Sequence, residues 1–526
     1  MKMPHSAAGR WGWAAILTLA GLGVAGAIVW AATGWAPWRA GAGVAILGAT
    51  AATWTFFAGL ALVRGLLSYA WAPLGVARTF LDEALRMRVA VVFVCVLLLL
   101  LVTLPLTLDP GSPLRYRIQT FLSYTLGATG LLLSFMTIFL ACGTVCHEIE
   151  DKRIYTVLSK PLSRGAYLLG KGIGLALLNA LLLCVAGLAI WGFTRLLATQ
   201  PALDVEDARA VAEDVLAARK ALAPEASAGL EEEVRRRIRE VEANDPAFVA
   251  ETGRAAFERQ VRHQVELNAH NLSPHQRRTF IFTGLEQAVR DRAAVQLRMR
   301  MRTSGAPPNL ELLMRIAFNG RERGIRMPVN AYLVLPVPLE EIGPDGRLEL
   351  TIVHENPLAP QQTFDTTATF LPGEGLEVLY AAGSFEGNLA RALAMQWVKL
   401  IFLGALGLCA ATFLGFPVAS LLALMVLVFA SSSGYLGEAL EFFGENTPGE
   451  AAKLLAAVLK VVVGALAAVL KQFSRFAPVD AVVSGRLVEG GEVWACAGWI
   501  GLAWTGATGV TAWLIFRKRE VARGAS

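Results

Sequence analysis

Long runs without a single Asp, Glu, Lys or Arg constrain this chain more than any other feature. No charge occurs between Arg10 and Arg39, between Arg39 and Arg64, or between Arg88 and Asp109. The same holds from Ile118 to Cys146, from Gly172 to Thr194 and from Val493 to Phe516. A helix needs about 20 mostly apolar residues to cross a hydrocarbon core about 30 Å thick, so each run reads as one span. The run from Leu400 to Gly437 is too long for one crossing, and Gly415-Phe416-Pro417 interrupts it. Proline removes a backbone donor and disfavours helix for the residue before it, so this run reads as a tight helical hairpin whose first helix starts before Lys399. The expectation is about eight transmembrane helices.

Charge is gathered elsewhere. Of the 48 basic and 42 acidic residues, more than a third fall between Asp204 and Arg302. Charged residues make up 17% of the chain, where a soluble domain carries about a quarter, which argues against a soluble enzyme. Collagen-like, disordered and disulfide-scaffold classes are excluded on the same composition. The six cysteines lie in or beside apolar stretches, so the polar insert holds no disulfide.

Orientation follows from the basic segments. Lys2 and Arg10, then Arg64, Arg78, Arg86 and Arg88, then Lys152, Arg153, Lys160, Arg164 and Lys171, and finally Arg517, Lys518, Arg519 and Arg523 all share one side if there are eight crossings. The positive-inside rule makes that side the cytoplasm, places both termini there, and leaves the insert extracytoplasmic. The net charge of +6 is then a property of membrane loops facing lipid, and no nucleic-acid partner is expected. The first span outruns a signal peptide and flows into a second, so it reads as an anchor. Leu454–Leu470 is apolar but carries Lys453, Lys460 and Lys471 on one helical line, which fits a re-entrant or interfacial helix over 451–473.

The domain organisation expected is an N-terminal hairpin and linker (1–73), a first membrane half (74–197), an insert (198–391) and a second membrane half (392–526). Within the insert, 204–290 reads as a charged helical stalk, with Leu230–Glu242 rich in Arg and Glu. From 294 to 382 the period changes to two. Val295, Leu297, Met299 and Met301 alternate with Gln296, Arg298, Arg300 and Arg302. Leu312–Phe318, Ala331–Pro336, Leu348–His354, Thr363–Leu371 and Leu376–Ala381 are further strand candidates, separated by turn signals such as Asn319-Gly320 and Pro344-Asp-Gly346. The fold class expected is mainly α, a polytopic membrane protein with an inserted α+β domain of helical stalk and small β-sandwich.

Three motifs invite chemistry and are better explained by structure. Gly165-Ala-Tyr-Leu-Leu-Gly170-Lys171 matches a phosphate-binding loop until Gly172, which stands where Ser or Thr must hold magnesium. Cys142-Gly-Thr-Val-Cys146-His147 has one residue too many between its cysteines for haem attachment and reads as small residues at a helix end. His263, Glu266 and His270 share a helix face, with His275 the one further candidate ligand nearby, and read as a solvated face. No hydrolase or zinc-protease pattern occurs, and Lys399 is the one ionisable group near the depth of a span. The chain is therefore expected not to be an enzyme, to carry no cofactor of its own, and to take any driving energy from a partner.

The segment from Cys146 to Lys171 (Cys-His-Glu-Ile-Glu-Asp-Lys-Arg-Ile-Tyr-Thr-Val-Leu-Ser-Lys-Pro-Leu-Ser-Arg-Gly-Ala-Tyr-Leu-Leu-Gly-Lys) resembles the cytoplasmic loop between the second and third core helices of ABC-2 type transporter permeases. Val76–Arg88 looks like that family's amphipathic elbow, Phe473–Glu489 like the polar segment before the last core helix, and Phe516-Arg-Lys-Arg-Glu520 like its basic tail. The likeness covers about residues 74–200 and 390–520; the N-terminal hairpin and the large insert depart from the minimal six-helix pattern. The resemblance implies a permease subunit worked by a separate cytoplasmic ATPase, which binds ATP and magnesium, and paired with a second copy or a related permease. Glu148, Glu150, Asp151, Lys152 and Arg153 are then the coupling surface, Pro161 ends the coupling helix, and Arg164 and Lys171 anchor the following turn near lipid phosphates. A membrane-anchored binding or assembly protein that presents the insert and transports nothing is the competing reading; it explains the insert but not the docking-type loop.

Overall fold

The computed structural model describes residues 37–67, 71–84, 86–104, 107–109, 111–152, 163–225, 229–244, 254–305, 307, 310–355, 366–372, 375–441 and 472–518. The first expected span, which precedes residue 37, lies outside these, as do Arg153 and Pro161 of the expected coupling surface and most of the stretch 451–473 expected to be re-entrant or interfacial. The chain divides into a helical unit (Met1–Val215, Phe385–Ser484, Val488–Ser526) and a β-rich unit (Leu216–Ser384 with Gly485–Leu487).

The helical unit begins with α1 (Pro37–Leu66), the short α2 (Ala72–Ala84) and α3 (Arg88–Thr103). In α2, Ala77, Phe80, Leu81 and Ala84 recur at helical spacing and are buried, while the intervening face carries charge. Then come the long helices α4 (Leu114–Glu150) and α5 (Arg164–Ala198), and a short α6 (Val205–Ala210) running into a π-helical turn, Val211–Val215. Ser163 caps α5 by accepting the Ala166 N–H at 3.1 Å.

Asp207 in α6 caps α4 from a distance in sequence. Its buried carboxylate accepts the backbone N–H of Leu114 at 2.7 Å and of Arg115 at 3.1 Å, two donors with no partner inside their own helix. Burial alone would raise the Asp207 pKa, but N–H bonds from Arg115, Leu114 and Leu203 and the Arg115 charge hold it below the ordinary 3.8. A depressed carboxylate contributes stability that is fully present above its unfolded pKa and is lost as pH falls through the folded one. Asp207→Ala is therefore expected to cost about 0.5–2 kcal/mol near neutral pH, and the gap should close well below pH 4, as followed by thermal unfolding. A gap of the same size at both ends would contradict this role.

The β-rich unit follows: β1 (Ala217–Leu222), α7 (Leu230–Asn244), α8 (Arg254–Ala269), β2 (Asn271–Leu272), β3 (Arg277–Phe282), α9 (Glu286–Asp291), β4 (Val295–Met299), β5 (Met301–Thr303), β6 (Glu311–Phe318), β7 (Arg321–Pro328), β8 (Leu333–Val337), β9 (Leu348–His354), β10 (Ala368–Phe370) and β11 (Leu376–Ser384). The strands form three antiparallel sheets, in the orders β1-β11-β4-β8, β2-β10-β5 and β3-β9-β6-β7. Val295, Leu297, Met299 and Met301 point into one core shared with Met314, Ile316, Leu350, Ile352 and Val378, as the period-two pattern requires. Asn319 and Gly320 both take positive φ, 44° and 94°, and close the β6–β7 hairpin with the turn that suits right-handed strand twist.

The stalk is not helical throughout. β1, β2 and β3 lie in the stretch expected to be helix. Ala217–Leu222 has good intrinsic helix formers, yet it pairs with β11, because strand formation is decided by cross-strand partners more than by local preference. β7 also escaped the pattern, since only Ile325 and Met327 of its Arg-rich sequence face the core.

Returning to the helical unit, α10 (Phe385–Ala411) and α11 (Phe416–Glu441) form the expected pair either side of Gly415, and α10 does begin before Lys399. A short α12 (Pro478–Val483) precedes α13 (Gly490–Lys518), whose middle, Ala497–Trp504, is π-helical. Lys399 is buried; its ammonium donates to the Phe476 carbonyl and lies 4.5 Å from the Phe473 ring centre. Among the described residues, α4, α5, α10 and α13 are long and apolar enough to cross a membrane, and Val92–Leu101 and Phe416–Ser432 are shorter apolar helices.

Candidate functional site

The family-like loop begins where α4 ends. The Asp151 N–H bonds the His147 carbonyl at 2.8 Å, and Lys152 takes a left-handed φ of 58°, so the helix stops at Glu150. The expectation of one charged helix running through Glu148–Arg153 is corrected to this extent: Glu150 is the last helical residue, Asp151 caps α4 in a right-handed conformation, and Lys152 turns out of it. All three are exposed.

Glu148 and Lys171 turn inward instead. The Lys171 side chain is only 3% exposed; Nζ lies 2.7 Å from Glu148 Oε1 and 3.1 Å from Glu83 Oε2. The Tyr167 hydroxyl donates to Glu148 Oε2 at 2.5 Å, and the Phe80 and Tyr167 ring centres lie 5.7 and 5.6 Å from the ammonium. Lys171 thus ties α5 to the end of α4 and to α2, and it does not reach for lipid phosphate as its sequence position had implied. Its charge is satisfied by two carboxylates, which suits an ammonium removed from water.

The glycines around it have a packing role. A Cβ on Gly170 would come within 2.6 Å of the Pro73 carbonyl oxygen, and one on Gly174 within 2.7 Å of Phe80 Cδ1. Only bare backbone lets α2 lie this close to α5. The apparent phosphate loop is helical from Arg164 onward, with no loop of N–H groups to cradle an anion.

Arg164 joins segments far apart in the chain. Its guanidinium donates to the carbonyls of Phe516 at 2.7 Å and Arg517 at 3.0 Å, satisfying terminal acceptors of α13. Tyr167 stacks on the fully buried Phe516 with ring centres 6.0 Å apart. The first turns of α5 therefore hold α2, α4 and α13 together through Arg164, Tyr167 and Lys171. Sequence reasoning missed Glu83, Tyr167, Phe80 and Phe516 as partners. An acid inside the amphipathic elbow and the Gly170/Gly174 spacing were the signals for the first of these contacts.

The other motifs resolve into packing. The Cys142 thiol faces the Gly407 carbonyl and Cys146 that of Leu414, both at 3.5 Å, and His270 Nδ1 meets the Glu266 carbonyl at 2.8 Å. Among the described residues, no three His, Cys, Asp or Glu side chains are placed to hold a metal. In the β-rich unit, Glu377 is 4% exposed and bound by two guanidiniums: Arg298 Nε at 3.1 Å and Arg486 Nη2 at 2.6 and 2.8 Å. Arg486 belongs to the three-residue return, where the Gly485 carbonyl and Leu487 N–H bond the Arg219 backbone, each at 2.8 Å.

Apolar helices of this length mark a membrane protein, one carrying a β-rich unit between its helices. Compared with protein-family models, with curated proteins and with solved structures, the chain matches none.

Proposed function

We propose that this chain is the membrane-spanning permease subunit of an ATP-driven ABC transporter, moving a substrate across the cytoplasmic membrane with energy from a separate ATPase. In this reading there are eight spans, both termini are cytoplasmic, and residues 198–391 are extracytoplasmic. Two permease copies, or this chain with a related one, form the pathway. The exposed Glu150, Asp151 and Lys152, with Arg153 and the loop to Pro161, meet the ATPase.

The observation that carries the proposal is the foot of α5. Lys171 binds Glu148, two residues before the exposed end of α4, and also Glu83 of α2, while Arg164 holds the last carbonyls of α13. Force applied at Glu150–Lys152 is thereby delivered to four helices as one body. Rigid elements joined by buried ion pairs and hydrogen bonds are the physical means of such transmission.

Isolation of the full-length chain from its native membranes in mild detergent tests the reading. The expected result is a co-isolated ATPase, with a photoreactive ATP analogue labelling the partner and not this chain. Absence of any ATP-hydrolysing partner, or labelling of this chain itself, would overturn it.

A further inference from the structure

The last residue of β9 is a titratable group set against an apolar core. Leu348, Leu350 and Ile352 of that strand are buried, and the period of two places the His354 side chain on their face, 1% exposed. Its cross-strand neighbour on β6 is the fully buried Met314. Neither ring nitrogen of His354 has a hydrogen-bond partner among the described residues. A neutral imidazole carries one donor and one acceptor, and buried groups of this kind are nearly always paired. This one fills a core position without making a polar contact there.

The surroundings give an imidazolium nothing to pair with. His275, just before β3, is exposed, and a charge on it opposes a second one on His354. Arg278 of β3 lies opposite Ile352, on the same face; it stays a cation and donates to the Asn268 and Ala269 carbonyls. Arg277 of β3, Arg315 of β6, Glu322 of β7 and Glu355 after β9 pair with one another. His270, after α8, bonds the Glu266 carbonyl and packs on Phe280. Burial holds the His354 imidazole below the ordinary 6.5, and His275 adds to this.

A proton on His354 therefore has to be met by moving the ring to water, and the backbone shows where that is easiest. β3 and β9 pair from Phe282 with Leu348 as far as Arg277 with Val353. At the end of this ladder the His354 N–H donates to the Gln276 carbonyl at 3.1 Å, and the His275 N–H to the His354 carbonyl at 2.9 Å. His275 holds a left-handed φ of 63°, which costs a residue with a side chain. On the other side, Met314 with His354 is the last pair of the β6–β9 ladder. Strand ends open at lower cost than strand centres, so His354 can leave while Ile352 stays in place.

We propose that His354 is an acid-operated latch: neutral, it closes the end of β9 against β3 and β6; protonated, it releases that end together with the turn 273–276. The latch belongs to the β-rich unit alone and is independent of whether the chain is a permease. Linkage fixes its direction. Above about pH 6.5 the imidazole is neutral in both the closed and the open form, so pH does not shift the balance. Below that, the open form takes up a proton that the closed form refuses. The open-to-closed ratio then rises about ten-fold per pH unit until the closed form is protonated too.

The test is amide hydrogen exchange of the full-length chain in lipid nanodiscs, corrected for the intrinsic pH dependence of exchange. Going from about pH 6.5 to 5.5, opening of the segments 273–278 and 350–355 is expected to rise about ten-fold, with no comparable rise elsewhere in the β-rich unit. His354→Phe puts a ring that cannot be protonated in the same place and is expected to abolish the rise. His263→Gln, at an exposed position of α8, is expected to leave it unchanged. Where His354→Phe fails to fold, the pH series on the unaltered protein decides alone. A flat profile, a rise shared equally by the whole β-rich unit, or an undiminished rise in His354→Phe would each overturn the proposal.

Discussion

Lys171→Met is expected to lower the stability of the helical unit by about 3–5 kcal/mol, the range for removing one partner of a buried ion pair. The reason is what stays behind. Glu148 has a side chain only 15% exposed and loses its closest cation, while Glu83, a third exposed, can turn toward water. Glu148→Gln in the same chain removes the stranded charge, so the double variant should regain much of the loss. On a background with Cys95, Cys184, Cys409 and Cys496 replaced by Ala, a thiol-reactive dye reporting release of the buried Cys142 and Cys146 during thermal unfolding reads all four members of the cycle. A coupling energy near zero would show that the Lys171–Glu148 contact is not a structural tie and does not join α5 to the end of α4.

Glu377→Ala should damage the β-rich unit to a similar degree, by about 3–5 kcal/mol, because it strands two guanidiniums instead of one charge. Arg298 is 13% exposed and Arg486 36%, so most of the penalty falls on Arg298, which can still lie against the Tyr332 ring 4.8 Å away. Amide hydrogen exchange on the full chain locates the effect. Faster exchange is expected at Leu487 and in β1, whose Arg219 backbone bonds the Gly485–Leu487 return. Unchanged protection there would mean that Arg486 and the return are held by backbone bonds alone.

The four long apolar helices α4, α5, α10 and α13 were legible in the sequence because little besides a bilayer keeps charge out of 20 or so consecutive residues. The α10–α11 break was readable from Gly415 and Pro417, and the core face of β4 from strict alternation. The segment Val76–Arg88 was expected from the family likeness alone; the helix there is α2, Ala72–Ala84, and Arg88 already opens α3. Other features were hidden by non-local causes. β1 takes its conformation from β11, more than 150 residues later, and nothing in Ala217–Leu222 announces it. Lys171 looked like a basic residue at a membrane boundary, because a sequence shows a charge but not the two carboxylates folded against it. Arg164 likewise gave no sign that its partners were carbonyls some 350 residues away. Residue types at the site were legible; which of them face inward depends on packing between helices distant in the chain.

In the proposed reading, the exposed residues ending α4 are where an ATPase meets this chain. The direct measurement is retention of the co-isolated ATPase by a variant in which Glu150→Lys, Asp151→Lys and Lys152→Glu reverse the surface together. Exposed changes of this kind typically alter stability by no more than about 0.5 kcal/mol, whereas losing charge pairs buried at an interface costs about 2–5 kcal/mol of binding. The variant should insert and unfold like the parent yet lose the ATPase, while reversal of Glu231, Glu232 and Arg236 on α7 leaves retention intact. A reversed loop that still holds the ATPase and supports its stimulated turnover would place the ATPase contact elsewhere and overturn the proposed coupling role.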